Sequence, residues 1–224
     1  YPISFYQVWP SQGFSSNYPD KNSSLLKRIN VGPEWSGKDI LKNLEITGEK
    51  TLPYSDNFSR DNGWIRTWGQ LLFKDNTMIL ASVSPTTGGS AFLEGSYLWE
   101  NYFLKAKIEI IKGESFSLTA RYKNDDNYTS CTFSPEFIEI EQVVDGNRKD
   151  LAETNREFPL TGNHELGIAV NKTTIKCYLD GRLVLQKNDL DASLVSGGIG
   201  FKAWDSKNNN SEVIIREIKV EKIE

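Results

Sequence analysis

A single histidine and two cysteines in 224 residues leave little material for zinc or thiol chemistry. A zinc centre needs three or four ligands, and a Ser-His-Asp relay needs partners that converge on its imidazole. His164, followed by Glu165 at the start of a predicted strand, reads instead as a solvated side chain. Two cysteines are too few for a disulfide framework. Cys131 is in register with Phe133, and Cys177 with Ile175 and Leu179, so both face the core. Two buried thiols are the expectation; one disulfide is the alternative, and it requires Cα atoms within about 7 Å. No apolar run approaches the roughly 18 residues needed to span a bilayer. The net charge of −4 comes without a basic stripe and argues against nucleic acid as a partner. Disorder is excluded by composition, with 38% hydrophobic and 25% charged residues. The chain opens on Tyr1 rather than Met, which reads as a mature product or an excised fragment.

What is present is strand rhythm. Leu104, Ala106, Ile108 and Ile110 alternate with Lys105, Lys107 and Glu109, the period of a strand with one face buried. Lys112-Gly113-Glu114 reverses the chain, and Phe116, Leu118 and Ala120 then face the core opposite Ser117, Thr119 and Arg121. A polar tip through Asp125 and Asp126 leads to Thr129, Cys131 and Phe133 on one face of a third strand. The three strands read as an antiparallel meander. Gln70 to Lys74 and Met78 to Val83 form a hairpin across Asp75-Asn76, and turns are expected at Asp145-Gly146 and Asp180-Gly181. About a dozen short strands separated by turn signals, with almost no helix, predict two packed antiparallel sheets over residues 54–224.

Residues 1–50 break that rhythm. Ser36 reads as an N-cap with Asp39 at N3, Ile40, Leu41 and Leu44 form one face of a short helix, and Gly48 ends it. The expectation is a short irregular or helical N-terminal extension that docks on the sandwich or dangles. It has too few periodic apolar residues for a core of its own.

Several motifs carry a resemblance. The long strand, short turn, Arg121-Tyr122 before an Asp/Asn tip, the Asp180-Gly181 hairpin and Gly197-Gly198-Ile199-Gly200-Phe201 resemble the concanavalin A-like, laminin G-like jelly rolls. Asp56-Asn57-Phe58-Ser59 is similar to the opening strand of that family, and Trp99 to Tyr102 to a stretch that anchors a strand end to the core. Such domains often serve as sugar-binding modules in secreted polysaccharide enzymes. Leu26 to Val31 followed by Trp35 to Leu41 resembles the last strand and helix of NodB-type polysaccharide deacetylase domains. The Asp and two His that bind metal in those enzymes have no counterpart here, so the resemblance implies catalysis upstream of Tyr1.

Three kinds of chemistry remain to weigh. Some concanavalin A-like sandwiches are glycosidases, and Glu139 and Glu141 share a strand face at i and i+2. The laminarinase-type signature instead runs Glu, apolar, Asp, apolar, Glu, whereas Gln142 and Val143 follow Glu141 here. Sugar binding needs aromatic platforms beside paired polar groups. Parity nominates Arg121 with Glu94 for vicinal hydroxyls, or as a structural ion pair. Trp204 leaves the core opposite Phe201 and Ala203 and is a stacking candidate, with Tyr128 and Tyr178 as further polar-face candidates. The family resemblance also implies a possible structural calcium, for which Asp56, Asp125, Asp126 and Asp205 supply hard oxygen. The sequence is therefore read as a monomeric, extracellular, non-catalytic carbohydrate-binding domain that brings a polysaccharide-modifying enzyme to its glycan. A laminin G-like protein-binding domain and a glycoside hydrolase are the alternatives.

Overall fold

The computed structural model describes residues 49–83, 86–155 and 161–224. The expected N-terminal helix and the deacetylase-like stretch fall on residues 1–48 and lie outside the described residues. The chain begins with β1 (Tyr54–Asp56), β2 (Trp64–Trp68), β3 (Gln70–Lys74), β4 (Thr77–Ala81) and β5 (Gly88–Leu93). It continues with β6 (Tyr102–Lys112), β7 (Ser115–Asn124), β8 (Asn127–Phe133), β9 (Ile138–Val144) and β10 (Asn147–Thr154). Then come β11 (Gly162–Asn171), β12 (Thr174–Leu179), β13 (Arg182–Lys187), β14 (Gly198–Trp204) and β15 (Glu212–Lys222).

An eight-stranded sheet runs β13-β12-β11-β6-β15-β4-β3, with β1 paired to β15, and a seven-stranded sheet runs β10-β9-β8-β7-β14-β5-β2. Every strand pair is antiparallel. Alternation explains the layering. Leu104, Ile108, Ile168 and Ile215 from one sheet meet Phe116, Leu118, Ile140 and Phe201 from the other, all essentially fully buried. Trp64 stacks on Phe201 at 5.2 Å and Phe116 on Phe201 at 5.9 Å, giving the core an aromatic centre. This is the predicted all-β sandwich of the concanavalin A-like, jelly-roll kind.

Two expectations need correction. β6 and β7 are not neighbours in a meander: β6 bonds to β11 and β15, whereas β7 bonds to β8 and β14. The turn at Gly113, with φ of +137°, carries the chain from one sheet to the other. Alternation reports one buried face, and either sheet of a sandwich satisfies it, since packed sheets lie only about 10 Å apart. The second correction concerns the thiols. Cys131 on β8 and Cys177 on β12 form a disulfide with Cα atoms 5.8 Å apart, tying the two sheets together through the core.

The hairpins follow their turn chemistry. Asp75 and Asn76 take φ of +51° and +55°, and Asp180 and Gly181 take +49° and +76°, the handedness that two-residue turns need to match strand twist. At Asp145-Gly146 the same turn pairs Val144 with Asn147 and so brings Asp150 opposite Glu141.

Candidate functional site

Arg121 does not lie on the wet face. It is only 1% exposed, and it sits at a β-bulge where the β7–β8 register shifts between Ala120 and Asn124. Its φ of +50° is a left-handed conformation, so parity counted through it fails: Ala120 belongs to the core and Tyr122 to the outward aromatic cluster. Its backbone N–H donates to Tyr102 Oη at 2.7 Å, and that hydroxyl faces the Gly197 and Gly198 carbonyls at 3.1 and 3.0 Å. Its guanidinium donates to the carbonyls of Leu194 at 3.0 Å and Glu100 at 3.4 Å. A Cβ on Gly197 would stand 2.2 Å from the Arg121 carbonyl carbon, so only glycine permits this approach. Arg121 is thus an internal clamp on two connecting segments.

Trp204 and Tyr178 are not gathered around it. Glu94, only 3% exposed, follows β5 and donates its backbone N–H to Gly63. Trp204 closes the far end of β14, six residues from Gly198 and so about 20 Å away along the strand. Tyr178 projects from the eight-stranded sheet, where its ring packs on Phe103 at 4.8 Å. Of these candidates, Tyr128 and Trp204 lie on the outward face of the seven-stranded sheet.

That face can be read row by row from the strand register. One row runs Ser90, Lys202, Ser117, Thr132, Glu139, and the next runs Phe92, Gly200, Thr119, Ser130, Glu141, Asp150. In these two rows β7 and β8 present the small residues Ser117, Thr119, Thr132 and Ser130, and the Lys202 side chain crosses β7 to reach Tyr128. On the β9–β10 flank Arg148 reaches Glu139 at 3.2 Å, Glu141 at 2.9 Å and Asp150 at 2.9 Å. Glu141 also accepts from Ser130 Oγ at 2.9 Å. Burial, and then the Asp150 carboxylate, push the Glu139 carboxyl up to about 7. Hydrogen bonding with Glu139 and Arg148 lowers Asp150, so the two acids share a proton that Glu139 holds. Burial raises the Tyr128 phenol, and Glu141 adds to that rise. Lys202 Nζ lies 3.6 Å from the centre of the Tyr128 ring. Burial lowers its ammonium, against the opposing pull of Asp125 and Glu141. Thr119 Oγ1, buried beside Gly200, has no hydrogen-bond partner among the described residues. On the opposite flank Trp204 stands edge-on to Trp68 at 5.7 Å.

The sequence reading missed Arg148, Asp150, Lys202 and Trp68 as members of this face. A signal for the first two was available. A two-residue turn at Asp145-Gly146 fixes the register, so Glu141 and Asp150 had to be opposite each other.

The calcium candidates do not converge. Asp56 accepts from Phe58 N, Asn62 Nδ2, Trp64 Nε1 and Tyr54 Oη, and so clasps its own loop. Asp125 accepts from Tyr122 Oη, Asp126 sits in a turn capped by Asn124, and Asp205 accepts from the Lys207 and Asn208 N–H groups. Among the described residues, Glu139, Glu141 and Asp150 are the group whose oxygens lie within 4.8 Å of one another. Arg148 already supplies the positive charge a divalent cation would bring there, so this donor set does not fit a calcium ion. His164 is not solvated as expected; its side chain is 11% exposed and Nδ1 lies 3.2 Å from Asp180.

No family model matches the chain. No curated protein matches it either. Solved structures do. The carbohydrate-binding module CBM66 from Bacillus subtilis is 18% identical, with a TM-score of 0.59 over 71% of this chain and 95% of that one. A β-glucanase of Bacillus licheniformis is 11% identical, with a TM-score of 0.60 over 78% and 100%. The exoplasmic/lumenal domain of VIP36, in its Ca2+/Man3GlcNAc-bound form, is 11% identical, with a TM-score of 0.60 over 78% and 90%. These likenesses establish the fold, and structures of this fold include both binding modules and hydrolases. Among the described residues no helix is long and apolar enough to cross a membrane.

Proposed function

We propose that this chain is a non-catalytic carbohydrate-binding module whose ligand lies on the outward face of the seven-stranded sheet. The observation that supports it is Trp204, 42% exposed and braced by Trp68, on the same face as rows of hydroxyls and charged groups. A sugar ring stacks its C–H face on such an indole while its hydroxyls take up fixed polar partners. Carbohydrate-binding and glycan-hydrolysing proteins among the similar structures agree with a glycan as ligand.

The carboxylates favour binding over hydrolysis. A retaining pair stands about 5 to 5.5 Å apart with the scissile bond between its members. Glu139 and Glu141 are instead joined by one guanidinium. The i+4 position after Glu139 is Val143, and the i−4 position before Glu141 is Phe137. The module's role is then targeting, by raising the local concentration of an attached enzyme at its polysaccharide. Residues 1–50 would form the joint to that enzyme, a polysaccharide deacetylase in the reading favoured here. An extracellular setting suits the core disulfide.

The test is a glycan panel with wild type and Trp204→Ala. Affinity should fall by about two- to tenfold, the worth of one aromatic contact, with the melting temperature unchanged. Wild type that binds no glycan on the panel refutes the proposal. One observation favours a second reading as hydrolase: a carboxyl raised to about 7 is suited to general acid work. Reducing-end release that disappears in Glu139→Gln would replace the first reading with this one.

A further inference from the structure

We infer that Lys202 is the ligand-anchoring charge of this face, and that the glycan it takes carries carboxylates, as a uronic-acid polysaccharide does. The inference rests on the carbohydrate-binding reading and names its ligand class.

Two cations stand on the face, and they differ in what they touch. The Arg148 fork is engaged by Glu139, Glu141 and Asp150. Lys202 Nζ touches the π face of Tyr128 at 3.6 Å and, among the described residues, no carboxylate. An ammonium has three donors, and a ring face satisfies its charge without accepting a conventional hydrogen bond from each. Its row neighbours are Ser90 and Ser117, so no bulky side chain flanks it within the row. To reach Tyr128 it must cross β7, above the buried Thr119 side chain. A half-buried cation with a ring face as its contact therefore lies over the small residues of β7.

A ligand carboxylate answers that shortage. It accepts charge-assisted hydrogen bonds from the ammonium. The groups that face Lys202 do not forbid an anion. Asp125 and Glu141 hold its charge up and Arg148 opposes it. Arg148 offsets one of the two ionised acids on the β9–β10 flank, and Glu139 keeps its proton up to about 7. Trp204, two residues along β14 and about 7 Å away, makes a sugar rather than a small anion the fitting ligand.

Calorimetry on the whole chain with tri-galacturonate and with cellotriose tests this, using wild type, Lys202→Met and Lys202→Gln. The trimer of uronic acid should bind at least about tenfold more tightly than the neutral trimer, and both variants should lose that margin without a fall in melting temperature. Binding of the uronate should also weaken from about pH 6 to pH 8, as Glu139 loses its proton and adds a negative charge. Equal binding of both trimers, indifferent to Lys202, overturns the inference and leaves the carbohydrate-binding reading standing. Binding of neither trimer here, together with none on the glycan panel, overturns both. Should both variants melt early, the Lys202 ammonium resonance of wild type decides, since its failure to shift on adding tri-galacturonate also overturns the inference.

Discussion

Removing the disulfide should cost this sandwich much of its stability, and the size of the loss follows from the chain it closes. Cys131 and Cys177 are 46 residues apart and join β8 of one sheet to β12 of the other. The loop-entropy relation for a loop of that length gives about 4 kcal/mol at 25 °C. For a domain of this size each kcal/mol moves the melting temperature by roughly 2 to 4 °C, so a fall of about 8 to 16 °C is expected. The perturbation is Cys131→Ala/Cys177→Ala, since serine would bury two hydroxyls in an apolar core. Urea unfolding of the variant, and of wild type with and without reductant, measures the effect. Thiol titration of denatured, unreduced wild type should find no free thiol. Two free thiols, or a reduced protein with an unchanged urea midpoint and slope, would refute the reasoning.

Arg148→Met should destabilise the fold by about 1 to 3 kcal/mol, because it strips the partner from two buried carboxylates; Glu139→Gln/Glu141→Gln in the same background should recover part of that loss by urea unfolding. The Glu139 carboxyl is raised in the folded state, so between its ordinary value and about 7 the folded protein binds more protons than the unfolded one. Stability should therefore decline as pH rises through that window, and Glu139→Gln should flatten the decline; an identical pH profile in the variant counts against the shared proton. Arg121→Met should lower the melting temperature while leaving glycan affinity as it was, since the side chain serves two backbone carbonyls inside the fold. A folded, equally stable Arg121→Met protein that has lost its ligand would return Arg121 to the binding site.

Strand positions were legible because burial and alternation coincide. Leu104 to Ile110 on β6 and Leu166 to Val170 on β11 are apolar at every second residue, and the fold buries each of those residues. Turn chemistry was equally legible, since Asp-Gly and Asp-Asn pairs adopt the positive φ values that tight hairpins need. Sheet membership was not legible, because the Gly113 turn looks alike in sequence whether it forms a hairpin or crosses the core. Site membership failed for a local reason. One bulge at Arg121 rotates the following residues by one position, and a parity count cannot see a bulge. Arg148 and Asp150 were hidden for the opposite reason: alone they look like an ordinary exposed edge, and they acquire meaning only from the register that sets them beside Glu139 and Glu141.

The contrast between the two outward faces explains why function is sought on one of them. On the eight-stranded sheet the charges pair across strands: Lys105 with Glu221 at 3.2 Å, Lys107 with Glu217 at 2.7 Å, Lys112 with Glu212 at 3.4 Å, and Arg216 with Glu109. Such exposed pairs contribute little each, and they match much of the charge along β6 and β15. The seven-stranded sheet has a different composition for the same area of backbone. It places aromatic rings, small hydroxyl residues and a half-buried lysine where the other sheet places matched ions. Holding Lys202 against Tyr128 lowers its ammonium, a desolvation cost that the cation–π contact offsets only in part. That cost falls where a ligand's polar groups could offset it, and Trp204 stands exposed on the same face.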